Sequence, residues 1–141
     1  NGPKGGDEIN LIKKGENYGW PKASYGEKYD SISTNKISYL KSHEKYGFKE
    51  PIYSFIPSIG ISEIIKLDNN FSKYWQESFL IGSLNSRHLY RVNFNKNYEK
   101  IKFIEKIYIG ERIRDLKYSY DKKIILLSLE DTGSVGVLSI N

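Results

Sequence analysis

One strand pattern, written twice, constrains this chain more than any other feature. Phe79-Leu80-Ile81-Gly82-Ser83-Leu84 is matched about 45 residues later by Ile124-Ile125-Leu126-Leu127-Ser128-Leu129. The match extends outward. Runs at Ile61 to Leu67, Ser78 to Leu84 and His88 to Phe94 correspond in order to Ile113 to Tyr118, Ile124 to Leu129 and Val135 to Ile140. Further strand-like runs lie at Ile52 to Ile56 and Ile101 to Ile109, with turns at Asp68-Asn69-Asn70, Asn85-Ser86 and Asn95-Lys96-Asn97. A sheet unit recurring at this period is the signature of a propeller blade. The expected fold class is all-β, a partial β-propeller of about two to three four-stranded antiparallel blades.

The region before Pro51 is less regular. Glu8 to Ile12 alternates polar and apolar side chains, Lys13 to Glu16 turns around Gly15, and Asn17 to Trp20 reads as a short aromatic strand. Residues 22 to 48 are polar and lack a steady period, which predicts a long surface loop with a short helix near Lys36 to His43. The chain thus divides into 1–48, a first partial blade with its loop; 49–110, a complete blade; and 111–141, a last blade of three strands. Blades have four strands, and a ring closes by borrowing a missing one. Open blade edges and raw faces are therefore expected to drive self-association.

Composition excludes several classes. The 141 residues carry a net charge of +5 with lysines scattered along the chain and no nucleic-acid motif, so a nucleic-acid partner is not expected. There are no cysteines, which removes disulfides and thiolate metal sites. No apolar run is long enough for a membrane span.

Two stretches carry candidate chemistry. Arg112 and Arg114 stand two apart on a predicted strand, so both guanidinium groups leave one face while Ile113 points away. Two charged forks side by side suit a polycarboxylate ligand; with Glu111 and Asp115 adjacent, a solvated mixed-charge strand end is the competing reading. The opening Asn1-Gly2-Pro3-Lys4-Gly5-Gly6-Asp7-Glu8 combines glycines and a proline with two carboxylates. It can be a hard-cation loop or an ordinary turn.

The string GPKGGDEINLIKKGENYGWP, with PSIGIS at 57 to 62 and GERIRDL at 110 to 116, resembles the glucose/sorbosone dehydrogenase family, which includes the soluble aldose sugar dehydrogenases that use pyrroloquinoline quinone (PQQ). The resemblance covers nearly the whole chain and implies a six-bladed propeller of which this is the C-terminal third to half. It implies an oxidoreductase that oxidises an aldose sugar at C1 to the lactone with hydride transfer to PQQ. Arg112 and Arg114 would contact the carboxylates of PQQ. The carbonyls of Gly2 and Pro3 would hold an active-site calcium, and Glu8 with the Tyr18 carbonyl would match a second, structural calcium; in the bland alternative Glu8 faces water and Tyr18 packs.

Departures matter too. Asn85, a candidate cofactor contact, stands where some members have a lysine, and Phe55 where many have tryptophan. The family's catalytic histidine belongs to a blade upstream of residue 1. His43 reads as a solvated loop residue and His88 as a strand-supporting one, so neither is assigned as the base. The expectation is a fragment inactive by itself, from a parent that is periplasmic or secreted. A non-catalytic propeller module that has lost quinone binding is the alternative.

Overall fold

The computed structural model describes Gly2, residues 4–28 and residues 38–140. They form two compact units, Asn1–Ile59 and Gly60–Asn141.

In the first unit β1 (Asp7–Ile9) pairs antiparallel with β2 (Tyr53–Phe55), with Glu8 opposite Ser54. The alternation predicted for Glu8 to Ile12 therefore yields a shorter strand. Asn17 to Trp20 is not a strand. Gly19 adopts φ +87°, and its carbonyl accepts the N–H groups of Lys22 (2.7 Å) and Ala23 (2.9 Å), so the aromatic segment turns instead of extending. A side chain at Gly19 would meet Ala23 Cβ at 2.8 Å. The predicted helix near Lys36 to His43 falls partly outside the described residues, and 38–43 are not helical; a single 3-10 turn follows at Glu44–Tyr46. The segment expected as surface loop also buries Ala23, Ser24 and His43.

The second unit holds two antiparallel sheets. The first runs β3 (Ile61–Lys66), β4 (Ser78–Ser83), β5 (His88–Phe94) and β6 (Ile101–Tyr108), each strand paired with the next. The second runs β7 (Ile113–Ser119), β8 (Ile124–Leu129) and β9 (Ser134–Leu138) in the same manner. The sequence repeat is structural: Leu80 faces Ile65 across its hairpin, Ile125 faces Tyr118 across the other, and both Leu80 and Ile125 are fully buried.

The sheets stack face to face. Leu67, Phe71, Leu80 and Leu89 from the first pack with Ile113, Leu116, Tyr118, Ile125 and Leu127 from the second into one core. At Gly82 the sheets approach so closely that a β-carbon would lie 3.1 Å from Ile113 Cγ2. The fold is therefore all-β, and the second unit is a stack of two propeller blades, the last with three strands.

Candidate functional site

Arg112 directly precedes β7 and Arg114 is its second residue. The alternation of β7 breaks there. Ile113 pairs with Leu129 and Asp115 with Ser128, so the pairing shifts by one residue between them. Arg114 and Asp115 are consequently both exposed, whereas Ile113 and Leu116 on either side are buried. The two-residue spacing keeps Arg114 on the side of Arg112, and the bulge adds Asp115 to the exposed side. Both guanidinium groups converge on Glu130: Arg112 Nε lies 3.4 Å from its Oε2, and Arg114 Nη2 forms an ion pair with the same oxygen.

The partner is thus Glu130, not Glu111 or Asp115. Glu111 accepts hydrogen bonds from the Thr132 N–H (3.1 Å) and hydroxyl (2.9 Å), and Asp115 accepts the Leu116 N–H (2.9 Å). The sequence pattern missed Glu130, although pairing β7 with β8 sets the end of one strand beside the start of the other. Arg112 Nε is buried yet makes no hydrogen bond among the described residues. Its 3.4 Å contact with Glu130 Oε2 is an ion pair outside hydrogen-bond geometry, so a better-placed oxygen acceptor would be favoured there. Two guanidinium groups against one carboxylate leave a net positive charge. That residue set fits an anionic, multi-oxygen ligand such as a quinone carboxylate.

Asn85 is exposed just beyond β4. The close approach of Gly82 to Ile113 puts the end of β4 beside the start of β7, so Asn85 belongs to the same end of the unit as the arginines.

The first unit contains the metal candidates. Pro3 lies outside the described residues. The Gly2 N–H donates to Asp7 Oδ1 at 2.6 Å, and a β-carbon on Gly2 would meet the Gly6 carbonyl oxygen at 2.6 Å, so the loop is curled tightly on itself. Tyr18 instead ties down the segment after β1 by its hydroxyl, which donates to the Leu11 carbonyl (2.6 Å) and accepts the Lys13 N–H (2.9 Å).

Glu8 is occupied elsewhere. It accepts Asn10 Nδ2 at 3.3 Å, and its Oε1 lies 3.5 Å from His43 Nε2. Among the described residues no group of three His, Cys, Asp or Glu side chains could hold a metal. The Glu8 carboxylate is engaged by Asn10 and His43, and a hard cation at the glycine loop would have to draw on main-chain oxygens.

His43 overturns its expected solvated position. It is fully buried, its ring stacked 5.1 Å from that of Tyr25, with Nδ1 3.6 Å from Glu50 Oε2. Hydrogen bonds from the Tyr46 and Phe48 N–H groups to its carbonyl tie its backbone into the turn. Burial pushes the Glu8 carboxyl up, against the opposing Asn10 hydrogen bond and His43 charge. Burial is also the largest influence on Glu50 and acts upward, but hydrogen bonds from Tyr25 and the Glu44 N–H, with the charge of His43, outweigh it and hold the carboxyl below its ordinary value. The Tyr25 hydroxyl, bonded to Glu50 at 2.6 Å, is pushed up to about 12 by that bond and by burial.

Two stacked antiparallel sheets of four and three strands define a β-propeller type of fold. The model of the glucose/sorbosone dehydrogenase family matches residues 1–137, and the chain belongs to that family. Aldose sugar dehydrogenase YliI of Escherichia coli is 31% identical over 136 residues, 95% of this chain and 35% of YliI. A crystal structure of glucose dehydrogenase superposes with a TM-score of 0.81 at 30% identity, covering all of this chain and 39% of that one. The soluble aldose sugar dehydrogenase of Escherichia coli in its apo form superposes at 0.78 and 25% identity, covering 99% and 40%. The chain spans about a third of the length of the curated relatives it matches.

Proposed function

We propose that this chain is part of a PQQ-dependent aldose dehydrogenase and that Arg112 and Arg114 hold the carboxylates of the quinone. The observation that carries this reading is the convergence of the two guanidinium groups on one carboxylate oxygen, which leaves a net positive charge and further N–H groups for an anion. PQQ, when bound, supplies the two-electron acceptor, so that an aldose losing two electrons and two protons at C1 becomes the lactone. The arginines bind and orient, being permanently charged and fork-shaped. Asn85 offers a neutral hydrogen-bonding group at the same end, weaker toward an anion than the lysine it replaces. Calcium enters only through the main-chain oxygens of Gly2 and Pro3.

Neither histidine of the chain is assigned as base. His43 is sealed inside the first unit, and His88 Nδ1 is bonded to the Ser86 carbonyl. The chain by itself is accordingly expected to be inactive, and the aldose substrate belongs to the whole protein. Export to the periplasm follows from the resemblance; among the described residues no helix is long and apolar enough to cross a membrane.

Calorimetric titration of PQQ, with and without calcium, tests this. Binding should be calcium-dependent and weaken by roughly a hundredfold in an Arg112→Ala, Arg114→Ala double variant. Absence of binding in the folded wild-type protein would favour the second reading, a non-catalytic propeller module. That reading draws on Asn85 in the lysine position and on Glu130 already satisfying the arginine pair.

A further inference from the structure

We infer that Glu130 is a positioning residue that aims Arg112 and Arg114 at an anionic ligand, so that the ligand meets a preformed fork instead of two free side chains. The inference rests on the quinone reading of the site.

Glu130 is fixed before it touches either guanidinium. It directly follows β8, and its own N–H donates to the Arg112 carbonyl at 2.9 Å, which closes the strand pair beyond Leu129 and Ile113. From that anchored backbone one oxygen, Oε2, reaches both arginines. The arginine side chains are themselves 39% and 54% exposed, and among the described residues no other ion pair holds them. Without Glu130 two long, flexible stems would sample many rotamers, and a ligand would have to order both. Glu130 performs that ordering in advance and leaves the other guanidinium N–H groups for the ligand.

Electrostatics alone makes the opposite prediction. Two arginines and one glutamate sum to a charge of +1, and removing the glutamate raises it to +2. If Glu130 were only a competing anion, its loss would tighten binding of a polycarboxylate. If Glu130 positions the pair, its loss weakens binding despite the added positive charge. The sign of the effect separates the two.

The experiment uses the full-length protein with Glu130→Gln and Glu130→Ala variants, PQQ as the probe, and the arginine Nε–Hε resonances of isotopically labelled protein as a second readout. Positioning predicts that PQQ dissociation constants rise in the order wild type, Glu130→Gln, Glu130→Ala, by about tenfold at the end of the series. Glutamine keeps an acceptor oxygen and rescues part of the effect. The Arg112 and Arg114 resonances should be ordered in wild type and mobile in Glu130→Ala, with the thermal midpoint little changed. Unchanged or tighter PQQ binding in Glu130→Ala overturns the inference. Should the wild-type protein bind no PQQ, the quinone reading fails and the resonances decide alone: loss of order on removing Glu130 supports positioning, and equal mobility in wild type and variant overturns it.

Discussion

The Tyr118 hydroxyl donates a 2.8 Å hydrogen bond to Asp68 Oδ1 across fifty residues of chain, joining the loop after β3 to β7. The same oxygen accepts the N–H groups of Asn70 (2.9 Å) and Phe71 (3.0 Å), and Phe71 packs edge-on against the Tyr118 ring. Burial, the hydrogen bond and the charge of Asp68 push the Tyr118 phenol up from 10.0 to about 12. The folded protein therefore holds this proton more tightly than the unfolded chain. The resulting stability is present below about pH 10 and is lost as pH climbs toward 12. Tyr118→Phe should cost about 1–2 kcal/mol at neutral pH and flatten the alkaline limb of a stability-against-pH curve. Denaturant titrations across that range check it; an unchanged limb in the variant would count against the assignment.

Glu50 acts at the other end of the scale. Its carboxyl lies below the ordinary value of 4.5, so its contribution is present above that pH and is lost as pH falls through the lower folded value. Glu50→Gln should weaken the first unit at neutral pH, because glutamine keeps one acceptor oxygen where the Tyr25 hydroxyl and the Glu44 N–H use two, and because it removes the charge near His43. It should also reduce the further loss on acidification below about pH 4.5. Amide hydrogen exchange read in residues 38–50 reports this unit separately. An acid response identical to wild type would locate the sensitivity in another carboxylate.

What the sequence disclosed, and what it hid, divides along physical lines. The strands of the second unit were legible because a blade repeats both its apolar runs and its turns, and two copies in one chain reinforce each other. The placement of Arg112 and Arg114 on one side was legible as well from their two-residue spacing, whereas the bulge that exposes Asp115 beside Arg114 is not something alternation shows. Glu130 was missed because alternation within one strand does not give the register across the β7–β8 hairpin that sets it beside the arginines. His43 was misread because a polar neighbourhood in sequence says nothing about what folds over it. Its burial comes from Tyr25, from the turn at Glu44–Tyr46 and from the close packing at Gly19. Asn17 to Trp20 carries strand-forming residues, but Gly19 in the left-handed region overrides their preference.

Gly82 is the point at which the two sheets leave no room. A β-carbon there would lie 2.7 Å from Ser62 Oγ and 3.1 Å from Ile113 Cγ2. Gly82→Ala should destabilise the second unit by about 1–3 kcal/mol through overpacking. Adding Ser62→Ala removes the nearer atom, so the double variant should recover part of the loss, a positive coupling between neighbours. Urea denaturation of the single and double variants measures it. Strict additivity would mean that the sheets separate instead of Ser62 yielding.

The last sheet offers an edge. Among the described residues β9 pairs with β8 on one side and with no strand on the other, so its outward N–H and C=O groups form a template for another strand. Val135 and Val137 are 66% and 62% exposed beside it, an apolar pair that water covers poorly. The prediction is that this chain by itself pairs with a second copy at this edge, since each copy would bring the same unpaired groups and the same valines. Self-association should then be concentration-dependent in sedimentation velocity. Val137→Lys places a charge on the strand without disturbing its pairing to Leu126, and should shift the distribution toward monomer at equal concentration. If the wild-type protein sediments as a monomer at every concentration up to roughly 0.1 mM, or if the variant associates as strongly as wild type, the edge is not the contact.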